Sequence, residues 1–128
     1  MPMEETPESI IYVVDDDQDV LGSLRFLLET DGFQVRTFRS ATALLSAVAA
    51  KAADCFVIDY KMPNMDGIDL AKCLRSRDVA APIILITGYP DGTIPAKAAT
   101  AGVQHVLLKP HLEDSLASRI RGAIEAGR

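Results

Sequence analysis

The 128-residue sequence has no tryptophan, only two cysteines and no long apolar run. Its longest unbroken apolar stretch, Ile10 to Val14, is far shorter than the roughly 20 residues of a membrane-spanning helix. The first residues are acids and prolines, where a signal peptide would need basic and apolar stretches. Cys55 and Cys73 form no CxxC pair, which indicates two buried or half-buried thiols. We therefore expect a cytoplasmic chain with no membrane segment.

An excess of positive charge is also absent. Thirteen Lys and Arg residues stand against eighteen Asp and Glu residues, and the net charge is -5. Because nucleic-acid binding depends on basic contacts to phosphates, this balance argues against direct nucleic-acid binding. The acidic excess lies in the first half, since residues 1–66 hold twelve acidic and five basic residues, whereas residues 67–128 hold six and eight.

Length and composition indicate one globular domain. A domain of about 150 residues is common, and 48% hydrophobic with 24% charged residues is typical of a folded chain. We place this domain at residues 9–126 and expect residues 1–8 to form a flexible N-terminal segment.

Short apolar runs alternate five times with stretches of helical periodicity. The predicted strands cover residues 10–14, 33–38, 55–58, 82–87 and 106–108. A weaker, alanine-rich helix is predicted between Pro95 and Ala101. Such alternation is typical of a parallel sheet covered by helices on both faces, most often with the strand order 2-1-3-4-5. The predicted fold is therefore α/β, with a doubly wound five-stranded parallel sheet of the flavodoxin-like type.

Polar side chains lie where four of these strands end. They are Asp15, Asp16, Asp17, Asp59, Thr87 and Lys109. In open α/β sheets ligands bind at the carboxyl ends of the strands, where the strand order reverses. Two like charges 4 Å apart repel by about 4 kcal/mol at an effective dielectric near 20, so clustered carboxylates need compensation. Oxygen ligands without His or Cys favour Mg²⁺. The sequence thus predicts a magnesium site at this edge.

A metal-bound carboxylate beside an ammonium and a hydroxyl group is suited to phosphoryl transfer, because that reaction depends mostly on positioning and charge neutralisation. Aspartate is an established covalent phosphoryl acceptor, and Asp59 is the candidate nucleophile. A phosphohydrolase of similar fold characteristically has a second aspartate two residues later, where this chain has Lys61. A nucleotide- or flavin-binding domain needs a phosphate-cradling loop after the first strand, where this chain has three aspartates.

The sequence resembles the response-regulator receiver domains of two-component signalling over residues 9–126. Four motifs carry the resemblance, in family order and spacing. They are the acidic group after the first strand, the stretch from Asp59 to Gly67, the pair Thr87-Gly88 and the pair Lys109-Pro110. The stretch from Thr87 to Asp91 is most similar to a subgroup that often precedes a helix-turn-helix output domain.

The resemblance implies a role for each acidic residue of the site. It makes Asp59 the phosphoacceptor and Asp16 a direct Mg²⁺ ligand, with Asp15 acting through water. The backbone carbonyl of Lys61 would complete the protein's share of the metal ligands.

The resemblance also implies how the domain signals. Lys109 would pair with the phosphoryl group, and Thr87 would move toward it on activation. Many receivers carry Phe or Tyr three residues before this lysine, whereas this chain has Val106, so we expect no coupled aromatic switch. The implied phosphodonor is a histidine kinase or a phosphotransfer protein. The implied output surface is helix 4, strand 5 and helix 5, used for partner binding or dimerisation by a signalling domain that is not a turnover enzyme.

Overall fold

Five strands and five helices alternate within residues 9–48, 53–88, 91–109 and 112–127, which the computed structural model describes without the side chains of residues 112–115. The strands are β1 (Ile10–Val14), β2 (Gln34–Phe38), β3 (Cys55–Asp59), β4 (Ile83–Thr87) and β5 (His105–Leu108). The helices are α1 (Gln18–Thr30), α2 (Ala41–Val48), α3 (Gly67–Ser76), α4 (Ile94–Thr100) and α5 (Leu112–Ala126). The predicted flexible segment at residues 1–8 lies outside the described residues.

All five strands are parallel and form one sheet in the order β2-β1-β3-β4-β5, so the predicted topology is confirmed. The order reverses between β1 and β3, which pair directly, with Val14 beside Ile58. Asp15 directly follows β1, and Asp59 is the last residue of β3. The predicted ligand-binding edge therefore begins with these two carboxylates.

Four strand boundaries and the start of α4 differ from the predicted ones by one residue. β2 begins at Gln34 rather than Phe33, β3 ends at Asp59 rather than Ile58, and β4 begins at Ile83 rather than Pro82. β5 begins at His105 rather than Val106, because His105 pairs with Ile84 of β4. α4 begins at Ile94 rather than Pro95, since a proline fits the first helical turn, where its missing N–H is not needed. Apolar pattern alone does not report either pairing or capping.

The sheet is buried on both faces, which explains its continuous apolar strands. Along β1, Tyr12 and Val14 pack in one core cluster while Ile11 and Val13 pack in the other. Helices α2, α3 and α4 contribute buried residues to the first cluster, and α1 and α5 contribute to the second. Cys55 is buried and Cys73 half-buried, and both are free thiols, as expected.

Short polar side chains cap the N-termini of several helices, including α1 and α2. Asp17 accepts a hydrogen bond from the backbone N–H of Asp19 at 2.9 Å, and Ser40 accepts one from Ala43 at 3.1 Å. Such caps satisfy N–H groups that have no partner within the helix. Asp17 therefore serves α1. Within the described residues, no helix combines the length and the apolar character needed to cross a membrane.

Replacing Phe56 by alanine should destabilise the fold strongly. Phe56 is fully buried in β3, and its ring contacts that of Tyr12 edge-on with centroids 5.8 Å apart. We expect Phe56→Ala to lower the free energy of unfolding by about 3–5 kcal/mol in urea denaturation. The control is Phe26→Ala on α1, where the side chain is 75% exposed and the expected change is within about 0.5 kcal/mol. Equal losses in the two variants would contradict this core assignment.

Candidate functional site

Two buried carboxylates and one lysine meet at the carboxyl edge of the sheet. The Lys109 Nζ lies 3.4 Å from Asp15 Oδ2 and 3.4 Å from Asp59 Oδ1. Asp15 is 1% and Asp59 6% exposed, whereas the lysine side chain is 29% exposed. The ammonium thus bridges carboxylates from two neighbouring strands, although the three residues are far apart in the chain.

Asp16 completes an acidic cluster with these two residues. One carboxylate oxygen from each of Asp15, Asp16 and Asp59 lies within 4.8 Å of the others. The Asp15 carboxylate is oriented by the backbone N–H of Asp17, which donates to its Oδ1 at 2.9 Å. Asp16 is exposed, so the cluster opens toward solvent on its side. Three carboxylate oxygens at this spacing are a donor set that suits a hard divalent cation such as Mg²⁺.

The electrostatics of the site show an excess of negative charge. Burial, followed by the charge of Asp15, raises the pKa of Asp59 from 3.8 to about 6, although Lys109 opposes the shift. Burial also raises the pKa of Asp15. For Lys109, burial acts to lower the pKa, but the two carboxylates outweigh it and the pKa rises. One ammonium therefore does not fully compensate two buried carboxylates, which a cation would do.

β4 and β5 bring Thr87 and Lys109 to the same level of the sheet. The backbone N–H of Lys109 donates to the Thr87 carbonyl at 2.9 Å, and Thr87 pairs with Leu108. Thr87 is 2% exposed. Lys61, whose carbonyl is the remaining expected metal ligand, lies in the loop between β3 and α3 with its side chain exposed. Pro110, the second residue of the Lys109-Pro110 motif, lies outside the described residues.

Gly67 packs directly against the backbone of Asp59, a contact that the sequence did not predict. A β-carbon at Gly67 would lie 2.6 Å from the Asp59 carbonyl oxygen and 2.6 Å from Leu85 Cδ1. The Gly67 N–H donates to the Tyr60 carbonyl at 2.7 Å, so α3 starts directly against the end of β3. The only sequence signal was the Asp66-Gly67 pair, which reads equally well as an ordinary turn.

A cleft of about 520 Å³ opens between α4 and β5 next to Thr87. Its apolar lining includes Ile94, Val103, Val106 and Leu108. Val106, which stands where many receivers carry Phe or Tyr, is half-buried. The small valine side chain leaves space beside the buried threonine.

Residues 11–121 match the sequence model of a protein family described as the response regulator receiver domain. The chain belongs to the response-regulator receiver family. Among its relatives are the response regulator protein TmoT of Ectopseudomonas mendocina, 40% identical over 92% of this chain and 54% of that protein, and the transcriptional regulatory protein FixJ of Bradyrhizobium diazoefficiens, 38% identical over 93% of this chain and 58% of that protein. The chain spans about half the length of these relatives.

Solved receiver structures show the same fold. The crystal structure of FixJ-N matches with a TM-score of 0.86 and 31% identity, covering 94% of this chain and 96% of that one. A receiver domain from Clostridium thermocellum matches with a TM-score of 0.86 and 30% identity, covering 93% of this chain and 96% of that one. The predicted family and fold are therefore confirmed, and the chain is a receiver domain of a two-component response regulator.

Adding a methyl group at Gly67 should displace Asp59. Because the new β-carbon would overlap the Asp59 carbonyl, we expect Gly67→Ala to lower the free energy of unfolding by about 1–3 kcal/mol, measured in urea. The control is Gly22→Ala in α1, where nothing lies within 4 Å of the added carbon and alanine should stabilise the helix by up to about 1 kcal/mol. A Gly67→Ala protein as stable as the wild type would rule out this close contact.

Replacing Asp59 by asparagine should stabilise the protein in a pH-dependent way. Because its pKa is raised to about 6 in the folded state, stabilisation by protonated Asp59 is present below pH 4 and is lost as the pH rises through 6. With chelator present, Asp59→Asn should gain about 3 kcal/mol over the wild type at pH 7 and little near pH 4. The measurement is urea denaturation across this range.

Glu125→Gln is the control for that pH series, since Glu125 is exposed near the end of α5. Because it changes only an exposed surface side chain, this variant should differ from the wild type by no more than about 0.5 kcal/mol across the series. A constant difference for Asp59→Asn between pH 4 and pH 7 would show that Asp59 titrates normally.

Proposed function

We propose that Asp59 accepts a phosphoryl group from a phosphohistidine of a histidine kinase or phosphotransfer protein. The observation that carries this proposal is the cluster of Asp15, Asp59 and Lys109 at the point where the strand order reverses. In a chain of this family, that cluster lies where the fold binds ligands. Asp59 is the carboxylate at the end of β3, and the adjacent ammonium offers charge to an incoming phosphoryl oxygen.

In the proposed step, a carboxylate oxygen of Asp59 bonds to phosphorus as the bond from phosphorus to the donor's imidazole nitrogen breaks. The electron pair of that bond remains on the imidazole. With a pKa of about 6, Asp59 is mostly ionised at neutral pH and can act as the nucleophile. Asp15, Asp16 and Asp59, with the carbonyl of Lys61, are the groups that would hold Mg²⁺, which when bound neutralises charge on the phosphoryl oxygens.

The phosphoryl group carries about -1.5 to -2 charge and replaces the charge of the Asp59 carboxylate, so the negative excess of the cluster remains. We propose that Lys109 pairs with this group and that the Thr87 hydroxyl moves toward it. Thr87 also borders the cleft between α4 and β5, so its movement would change that surface. The proposed output surface is therefore α4, β5 and α5, used for partner binding or dimerisation.

Several broader features complete the proposal. The domain acts in the cytoplasm as a phosphoacceptor and not as a turnover enzyme. Its net charge of -5 disfavours direct binding to nucleic acid. FixJ is named a transcriptional regulatory protein, and control of transcription would here need an output module outside this domain.

Intact mass spectrometry after incubation with acetyl phosphate and Mg²⁺ tests the acceptor. We expect the wild type to gain one phosphoryl group, Asp59→Asn to gain none and chelation of the metal to prevent the gain. Lys109→Met should slow the reaction by at least about tenfold, because a charge-assisted interaction worth roughly 1.5–3 kcal/mol is lost. Asp69→Asn, which alters an exposed carboxylate on α3, should behave as the wild type does.

Two results would contradict the acceptor proposal. One is a wild-type protein that gains no phosphoryl mass although its fold is intact. The other is phosphoryl mass on Asp59→Asn equal to that on the wild type. Sustained release of inorganic phosphate over many turnovers would instead favour a phosphohydrolase.

A further inference from the structure

One arginine far from the acidic cluster ties three segments of the chain together. The Arg75 guanidinium, near the end of α3, donates to the carbonyl of Val79 at 2.7 Å, of Ala81 at 2.9 Å and of Gly102 at 2.6 Å. Val79 and Ala81 belong to the connection from α3 to β4, and Gly102 belongs to the connection from α4 to β5. The charge is half-buried and satisfied by carbonyl oxygens.

Gln104 extends these bonds to the start of two strands. Its side-chain Oε1 accepts from Arg75 Nη2 at 3.3 Å and from the Ile83 N–H at 2.7 Å. Its own backbone N–H donates to the Ile83 carbonyl at 2.9 Å. The residue before β5 is therefore held by both its backbone and its side chain against the first residue of β4.

Close packing at Gly102 shows how little room this arrangement leaves. Gly102 has a φ of +90°, and a β-carbon there would lie 2.6 Å from Arg75 Nε. Ala98 of α4 is fully buried, and its carbonyl accepts from the Val103 N–H at 2.9 Å. The carboxyl end of α4 is thus joined to α3, β4 and β5 at once.

At the amino end of α4, Ile94 packs into the core at 2% exposure, but the hydrogen bonds among the described residues there are local ones. Thr93, which precedes the helix, makes no side-chain cap. Its N–H and hydroxyl both bond to Asp91 Oδ1 at 2.8 Å, and both residues are exposed. Bonds of this kind between exposed neighbours exchange readily with water. This end of α4 also lines the cleft that reaches Thr87.

We propose that Arg75 is a positioning residue that anchors the carboxyl end of α4 and the start of β5, so that activation displaces the amino end of α4 about a fixed carboxyl end. The proposal rests on the proposed function, since the displacement follows from phosphorylation of Asp59. It adds that Arg75 confines the displacement to the amino end of α4, a helix of seven residues. The cleft between α4 and β5 then opens or closes as a hinge would.

Amide hydrogen exchange measured by mass spectrometry tests the anchor, with and without acetyl phosphate and Mg²⁺. In the wild type, phosphorylation should change exchange at residues 91–97 and leave residues 99–105 unchanged. In Arg75→Met, residues 99–105 should exchange at least about tenfold faster before phosphorylation, since several bonds to a charged group are lost. After phosphorylation, the change should extend across the whole of α4.

Arg77→Met is the matched control, because Arg77 lies at the same helix end and its guanidinium donates a long bond, 3.4 Å, to the carbonyl of Leu45 on α2. This variant should keep the wild-type exchange pattern. Urea denaturation of both variants shows whether faster exchange is local or follows from a lower global stability. A merely structural arginine would speed exchange throughout the sheet, and an Arg75→Met pattern equal to the wild type would also overturn the proposal.

Intact mass separates the two claims. If no protein gains phosphoryl mass, the proposed function fails, and unchanged exchange at residues 99–105 in unphosphorylated Arg75→Met would independently overturn the anchor. If the wild type is phosphorylated and its residues 99–105 change as much as residues 91–97, the anchor is wrong while the acceptor role of Asp59 stands.

Discussion

Two buried carboxylates share a single ammonium in this protein, and the rest of the site depends on that imbalance. Lys109 lies 3.4 Å from an oxygen of both Asp15 and Asp59. Burial raises the pKa of each carboxyl group, which means that the folded state holds their charges at a cost. A bound cation would lower this energetic cost, and so would a phosphoryl group that arrives with a counter-ion. The cluster is thus less stable than a neutral core would be, and it is suited to binding a cation or a phosphoryl group.

The fold holds this unfavourable arrangement through elements that are themselves firmly packed. β1 and β3 are neighbours at the centre of a sheet covered on both faces. Asp15 directly follows β1, and Asp59 is the last residue of β3. α3 begins so close to β3 that only a glycine fits at position 67. The end of β3 therefore has little room to move toward α3.

In the proposed function, a change at this cluster would reach α4 through Thr87. Thr87 ends β4 beside the lysine-bearing end of β5 and also borders the cleft under α4. The two ends of that helix differ, because exposed local bonds hold one and Arg75 with Gln104 holds the other.

Local pattern was sufficient for the strand order, the switch point and the chemical nature of the site. Continuous apolar runs, which are typical of buried strands, end at Asp15, Asp59, Thr87 and Lys109. Parallel topology then places those strand ends at one edge of the sheet. Only the tertiary structure decided that Asp15 is buried while Asp16 is exposed, and that Gly67 presses against Asp59. It alone revealed Arg75, whose bond to Gly102 joins residues 27 positions apart. Periodicity reports what a segment buries, whereas burial of a single charge and contacts between distant segments depend on how all the elements pack together.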